Sequence, residues 1–236
     1  MSTASTTSNN VCEYCGKELE VYEFECLGRK YKAIDACDCY GARIARGETD
    51  AASSMNRHDL MDARYAASGI GDMYRTASSK CSEYVSAVKS GRNVFIYGPN
   101  GSGKSTLAAS IAKKLVDLGD DVLFVNACIA VKRMQASISG EPTDVFERMC
   151  SVPYLVIDDL GKGNPTEWDS SVWYAVAEAR NMACLPTVVT TNYSGSELIV
   201  RLTAKGDDST AKAIVSRFRG GAVVVKMDGT DRRVAS

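Results

Sequence analysis

The stretch Gly98-Pro99-Asn100-Gly101-Ser102-Gly103-Lys104-Ser105-Thr106 fits the pattern G-x-x-x-x-G-K-[ST] at every fixed position. Gly98, Gly101 and Gly103 let the backbone curl so that successive N–H groups face an anion, at the positive end of a helix that Lys104 begins. These residues, Gly98 to Thr106, are expected to hold the phosphates of ATP. Lys104 would reach the β- and γ-phosphates, and Ser105 would offer its hydroxyl to Mg²⁺. The flanks agree with this reading. Asn93 to Tyr97 is a short apolar strand, and Thr106 to Leu115 has helical periodicity.

Outward from this loop the pattern repeats. Asp121 to Asn126 reads as a second buried strand, and Ile129 to Ser137 as a helix whose Lys132 and Arg133 are candidates for touching DNA. Tyr154 to Asp159 is a third strand that ends in two acids. Asp158 at its tip would hold Mg²⁺ through water, and Asp159 would polarise the attacking water. Ser170 to Ala183 is an amphipathic helix with Val172, Trp173, Val176 and Ala179 on one side, followed by the strand Thr187 to Thr191. Asn192 closes that strand. It would hydrogen-bond the γ-phosphate or the attacking water, the plainer reading being an asparagine chosen for turn chemistry. Glu197 to Leu202 and Ala211 to Phe218 read as helices, and Ala222 to Lys226 as a fifth strand. Strands alternating with helices predict an α/β fold built on a five-stranded parallel sheet.

Before the loop the composition changes. Residues 1–10 are polar and small, a tail expected to be disordered. Residues 11–40 hold Cys12-x-x-Cys15 and Cys37-x-Cys39, which predict four thiolates on one Zn²⁺, with Glu20 to Glu25 as a strand between them and Gly28 turning the chain back. Cys26 is an alternative ligand. A redox C-x-x-C is the rival, but no βαβ context surrounds Cys12. Residues 41–67 read as a helical linker, with His58 on its solvated face, and the second domain begins at Ser68. The remaining cysteines, Cys26, Cys81, Cys128, Cys150 and Cys184, are expected to be reduced and mostly buried.

The 236 residues carry a net charge of −1, so any DNA contact must come from a local patch rather than a global field. A hydrophobic content of 45% is enough for a packed core. No run approaches the length of a membrane span and residues 1–10 lack the apolar core of a signal peptide, so the expected location is the cytoplasm, with no membrane partner.

The ordered set of Gly98 to Thr106, Leu155-Val-Ile-Asp-Asp-Leu-Gly161, Thr190-Thr-Asn192, Ile214-Val-Ser-Arg-Phe218 and Ser68 to Arg75 resembles the AAA+ ATPases of the bacterial helicase-loader group, the DnaC, DnaI and IstB relatives. The resemblance covers about Ser68 to the C-terminus. It implies that Asn192 is the sensor and that Arg217 is an arginine finger completing the ATP site of a neighbouring subunit. It also implies that the N-terminal module engages a hexameric replicative helicase, and that the chain loads this helicase onto single-stranded DNA. Two departures stand out. Asp159 takes a place where many AAA+ proteins carry Glu, which predicts slow hydrolysis. Few residues follow the last strand, so no C-terminal helical lid is expected. An IstB-like transposition helper, binding DNA and a transposase, is the alternative function; the cysteine module speaks against it. A small-molecule kinase is a third reading, in which Asn192 and Arg217 have no evident place.

Overall fold

Parallel strands have to be covered on both faces, and the alternation within these strands shows two separate covers. In the computed structural model, which describes residues 10–12, 16–26, 29–34, 60–138, 144–203 and 206–229, the chain divides into two units, Met1–Leu60 and Met61–Ser236. The larger unit is a five-stranded sheet of β3 (Val94–Tyr97), β4 (Val122–Asn126), β5 (Tyr154–Asp158), β6 (Thr187–Thr191) and β7 (Val223–Lys226). Its order is β4-β5-β6-β3-β7, and every pairing is parallel. Phe95, Leu155, Ile157 and Val189 face one core, packed by α4 (Ala127–Ile138), α5 (Val145–Ser151), α6 (Glu167–Met182), α7 (Gly195–Leu202) and α8 (Ser209–Arg219). Their neighbours Val94, Ile96, Val156 and Val188 face the other core, packed by α2 (Ser82–Lys89) and α3 (Lys104–Asp117).

This is the expected P-loop AAA+ core, with some elements longer than the sequence reading. α6 starts at Glu167 rather than Ser170 because Thr166 and Asp169 form a reciprocal capping box. α7 starts at Gly195 for the same reason, through Ser194 and Glu197. α5 was not foreseen: seven residues are too few to show a periodicity, yet its Met149 is fully buried. On α6 the inward face is Val172, Trp173, Val176, Ala177 and Arg180; Ala179 is only half-buried.

Residues 60–68 are helical (α1). Those the sequence reading places in the linker bond within the larger unit: Tyr65 donates to Asp117 Oδ1 at 2.5 Å, and the Ala67 carbonyl accepts from Arg148 at 3.2 Å. Among the described residues no helix is long and apolar enough to cross a membrane.

The smaller unit holds an antiparallel pair, β1 (Val21–Cys26) and β2 (Arg29–Ile34), in register from Val21↔Ile34 to Cys26↔Arg29. Glu23 and Lys32 are register partners across it and form an ion pair at 3.2 Å. Ahead of the pair, Gly16 N–H donates to the Cys12 carbonyl at 2.8 Å, and Cys12 is buried. The other expected zinc ligands, Cys15, Cys37 and Cys39, lie outside the described residues, as do the 1–9 tail and 41–59 of the linker. The expectation of mostly buried thiols is corrected in the larger unit. Only Cys81 is buried there; Cys128 and Cys150 are half-buried and Cys184 is exposed, because the last sits in the turn that ends α6.

Candidate functional site

The strand order reverses at β3, whose neighbours are the late strands β6 and β7, and ligands of open α/β sheets gather at the carboxyl ends beside such a reversal. The chain leaves β3 at Gly98, which approaches the last strand so closely that a Cβ would lie 2.2 Å from the Met227 carbonyl oxygen. Only glycine fits there. Gly103, at φ 94, is the N-cap of α3, so the open N–H groups of the first helical turn face the loop. Lys104 is 5% exposed and its Nζ donates to the Pro99 carbonyl at 2.7 Å, which folds the ammonium over the loop. The Ser102 hydroxyl is buried without a hydrogen-bond partner.

Across the cavity β5 delivers the acids. Asp158 is buried, accepts from the Thr190 hydroxyl at 2.6 Å, and lines the same cavity as Ser105. Burial pushes its pKa up, the donors Thr190 and Ser105 oppose that, neighbouring Asp159 adds to it and Lys162 opposes it. A carboxylate and the P-loop hydroxyl lining one cavity are the oxygen donors that Mg²⁺ takes up, so Ser105 and Asp158 fit the ion. Asp159 is not part of the strand. It has φ 61, a left-handed conformation that costs a non-glycine residue about 1 to 3 kcal/mol. Its N–H donates to Thr190 Oγ1 at 2.9 Å, and its carboxylate pairs with Lys162 Nζ at 2.7 Å.

The cavity between these walls has a volume of about 320 Å³ and is lined by Lys104, Ser105, Thr106, Asn126, Asp158 and Asp159 among others. Asn100, Gly101 and Gly103 also line it, as do Met73 and Tyr74. Asn192 follows β6 directly, and its Oδ1 is buried without a partner. Such an atom is costly to leave unpaired, yet Asn192 is not among the residues that line the cavity. The P-loop and the two acids thus come together as expected.

Arg217 does not join them. Its carbonyl accepts from Asn93 Nδ2 at 2.9 Å, and Asn93 immediately precedes β3, so Arg217 stands at the amino end of the sheet, opposite the phosphate loop. Its guanidinium forms an ion pair with Glu178 of α6, lies 5.1 Å over the Tyr174 ring and donates to the Ala213 carbonyl at 3.2 Å.

Sequence reasoning gave no individual role to Thr190, Lys162 or Asn126. Each left a trace: a hydroxyl in the otherwise apolar Val188-Val189 run, a lysine three residues past the acid, and a polar residue closing β4 in register with Asp158.

DnaI has a solved structure that superposes with a TM-score of 0.51 at 26% identity, covering 60% of this chain and 73% of that one. The structure of the DnaC helicase loader superposes with a TM-score of 0.53 at 20% identity, covering 70% of this chain and 99% of that one, a likeness of fold. An insertion sequence ATP-binding protein of Sinorhizobium fredii is 31% identical over 91 residues, which are 38% of this chain. The match spans only 30% of the length of that curated relative. Residues 45–236, nearly all of them within the unit that holds the phosphate loop and the acid pair, match the profile of the IstB-like ATP binding proteins, and the chain belongs to that family.

Proposed function

We propose that this protein is an ATP-dependent loader of a hexameric replicative DNA helicase onto single-stranded DNA. The observation that carries the reading is the separation of Arg217 from the site it is expected to serve: the phosphate loop and the acids occupy the carboxyl end of the sheet, the end at which Asn192 follows β6, and Arg217 the amino end. An arginine so placed reaches a γ-phosphate only across a subunit boundary. Assembly therefore depends on nucleotide, and so does the grip on DNA.

ATP lies in the Gly98 to Thr106 cradle, with Lys104 released from Pro99 onto the β- and γ-phosphates. Ser105 and Asp158 would hold Mg²⁺, which when bound neutralises the charge that develops on the phosphates. Asp159, freed from Lys162, polarises the attacking water, Asn192 orients it, and ADP and phosphate leave. The N-terminal module docks on the helicase. Its zinc site is Cys12, Cys15, Cys37 and Cys39, a reading supported by the C-x-x-C and C-x-C spacing and by the burial of Cys12.

Co-purification with the cognate replicative helicase, with and without ATP and single-stranded DNA, tests the proposal. A complex that responds to ATP is expected. The second reading is a transposition helper, favoured by the family match and the insertion-sequence relative. No helicase complex under any condition, together with a stable transposase complex, would move the function there.

A further inference from the structure

β5 and β6 pair regularly only as far as Ile157↔Val189. One residue on, a side chain takes over from the backbone ladder. The fully buried Thr190 hydroxyl gives its single hydrogen to Asp158 Oδ1 at 2.6 Å and accepts the Asp159 N–H at 2.9 Å. One oxygen atom thus touches both acids. The Thr190 carbonyl adds a tether by accepting from Leu160 N–H at 2.9 Å, and the Thr191 hydroxyl donates to the Leu160 carbonyl at 2.7 Å. Packing alone does not call for this hydroxyl, since the preceding residues of the strand are Val188 and Val189, and valine has the shape of threonine.

We infer that Thr190 is a positioning residue for the acid pair: its hydroxyl orients the Asp158 carboxylate beside Ser105 and holds Asp159 in the left-handed turn from which its carboxylate faces the cavity. Thr190 does not line that cavity, so it acts through the acids rather than on the nucleotide. The inference rests on the reading of the site as one that hydrolyses ATP.

The test compares full-length Thr190→Val and Thr190→Ser with the parent, measuring kcat and KM for Mg-ATP and the Kd for ATP without Mg²⁺. Thr190→Val keeps the shape and loses both hydrogen bonds, so kcat should fall about 10²-fold while the metal-free Kd stays within about two-fold. Thr190→Ser keeps the hydroxyl and should recover most of the rate. Turnover by Thr190→Val at the parent's kcat would overturn the inference, and so would a Thr190→Ser as impaired as Thr190→Val. Should Thr190→Val not fold, Thr190→Ala and Thr190→Ser supply the same contrast: both lack the methyl, only serine keeps the hydroxyl, and equal rates would overturn it. A parent no faster than Asp159→Asn sinks the hydrolysis reading and this inference with it. A fast parent beside an indifferent Thr190→Val sinks this inference alone.

Discussion

At the carboxyl end of the sheet, Ser102 and Asn192 bury polar atoms that no protein partner satisfies, while at the amino end Arg180, 1% exposed, finds oxygens for its guanidinium. Its Nε donates to Thr187 Oγ1 at 2.8 Å, and its two terminal nitrogens reach the carbonyls of Met149, Val152, Pro153 and Pro186. Burial drags its pKa down to about 10, still far above neutrality, so the charge stays and the carbonyl dipoles stabilise it. The Arg180 clamp is complete within the protein, whereas the Ser102 and Asn192 oxygens are not. Buried polarity in this protein therefore separates into two kinds, a clamp that holds chain segments together and a socket, the polar walls around the phosphate loop.

The sharpest way to break this contrast is to substitute one residue at each end. Lys104→Ala removes the loop's fixed cation and should abolish ATP binding, weakening the Kd by at least about 10²-fold in calorimetry while leaving the thermal transition of the nucleotide-free protein nearly in place. Retained binding would mean that the loop is not the socket. Arg217→Ala should instead leave ATP binding intact and lower assembled hydrolysis by about 10³. Mixing it with Lys104→Ala should restore some activity, because each variant then supplies what the other lacks. No recovery at any ratio counts against a shared site.

Arg180→Met should do the reverse of Lys104→Ala. It leaves five oxygens without their donor, four of them carbonyls at the ends of α5, α6 and the strands that follow, and should destabilise the fold by about 3 to 5 kcal/mol. Urea unfolding measures it. A variant as stable as the parent would show that the clamp is incidental.

These two ends were unequally legible in the sequence. The socket could be read because its chemistry is local: Gly98 to Thr106 carries its meaning within nine residues, and Asp158 stands at the tip of an apolar strand. The clamp could not, since Arg180 gathers oxygens from Met149 to Thr187 and nothing next to it in the chain announces them. Thr190 lay between the two cases. The Thr-Thr-Asn run was visible, but its hydroxyl gains a function only when β6 lies beside β5 in one register, and register is a property of two strands. Arg217 was placed by resemblance alone. Its contacts with Glu178 and Tyr174 depend on how α8 packs on α6.

Acidity gives a smaller and more selective probe of the socket. Because the folded-state pKa of Asp158 is raised, the native protein binds a proton more readily there than the unfolded chain does, so this carboxylate's contribution to stability falls as pH rises through the window above its ordinary value of 3.8. Asp158→Asn removes that cost. The nucleotide-free variant should melt slightly above the parent at neutral pH, and the difference should shrink as pH falls through the same window. Its Mg²⁺-dependent turnover should be lost. A parent that melts above Asp158→Asn at neutral pH would show that the buried carboxylate is already fully compensated.

The finest test follows the amino end through assembly. Cys184, exposed and in a left-handed turn at φ 53, lines the same cavity of about 270 Å³ as Arg217 and Arg180. If Arg217 reaches into a neighbour when ATP is bound, that neighbour must cover this cavity. Alkylation of Cys184 should then slow several-fold with ATP and Mg²⁺, and the Cys184→Ser variant, mapped by mass spectrometry, identifies the signal. The chemistry of the thiol itself is not expected to change, so a slower rate reports access. Cys81 serves as the internal reference: it is buried in the core behind α3 with its pKa pushed up by that burial, and its Sγ donates to the Ser110 carbonyl. It should react slowly with or without nucleotide. Equal slowing at both cysteines would point to a general tightening of the fold, and an unchanged Cys184 in the ATP state would place the subunit contact somewhere other than the end that carries Arg217.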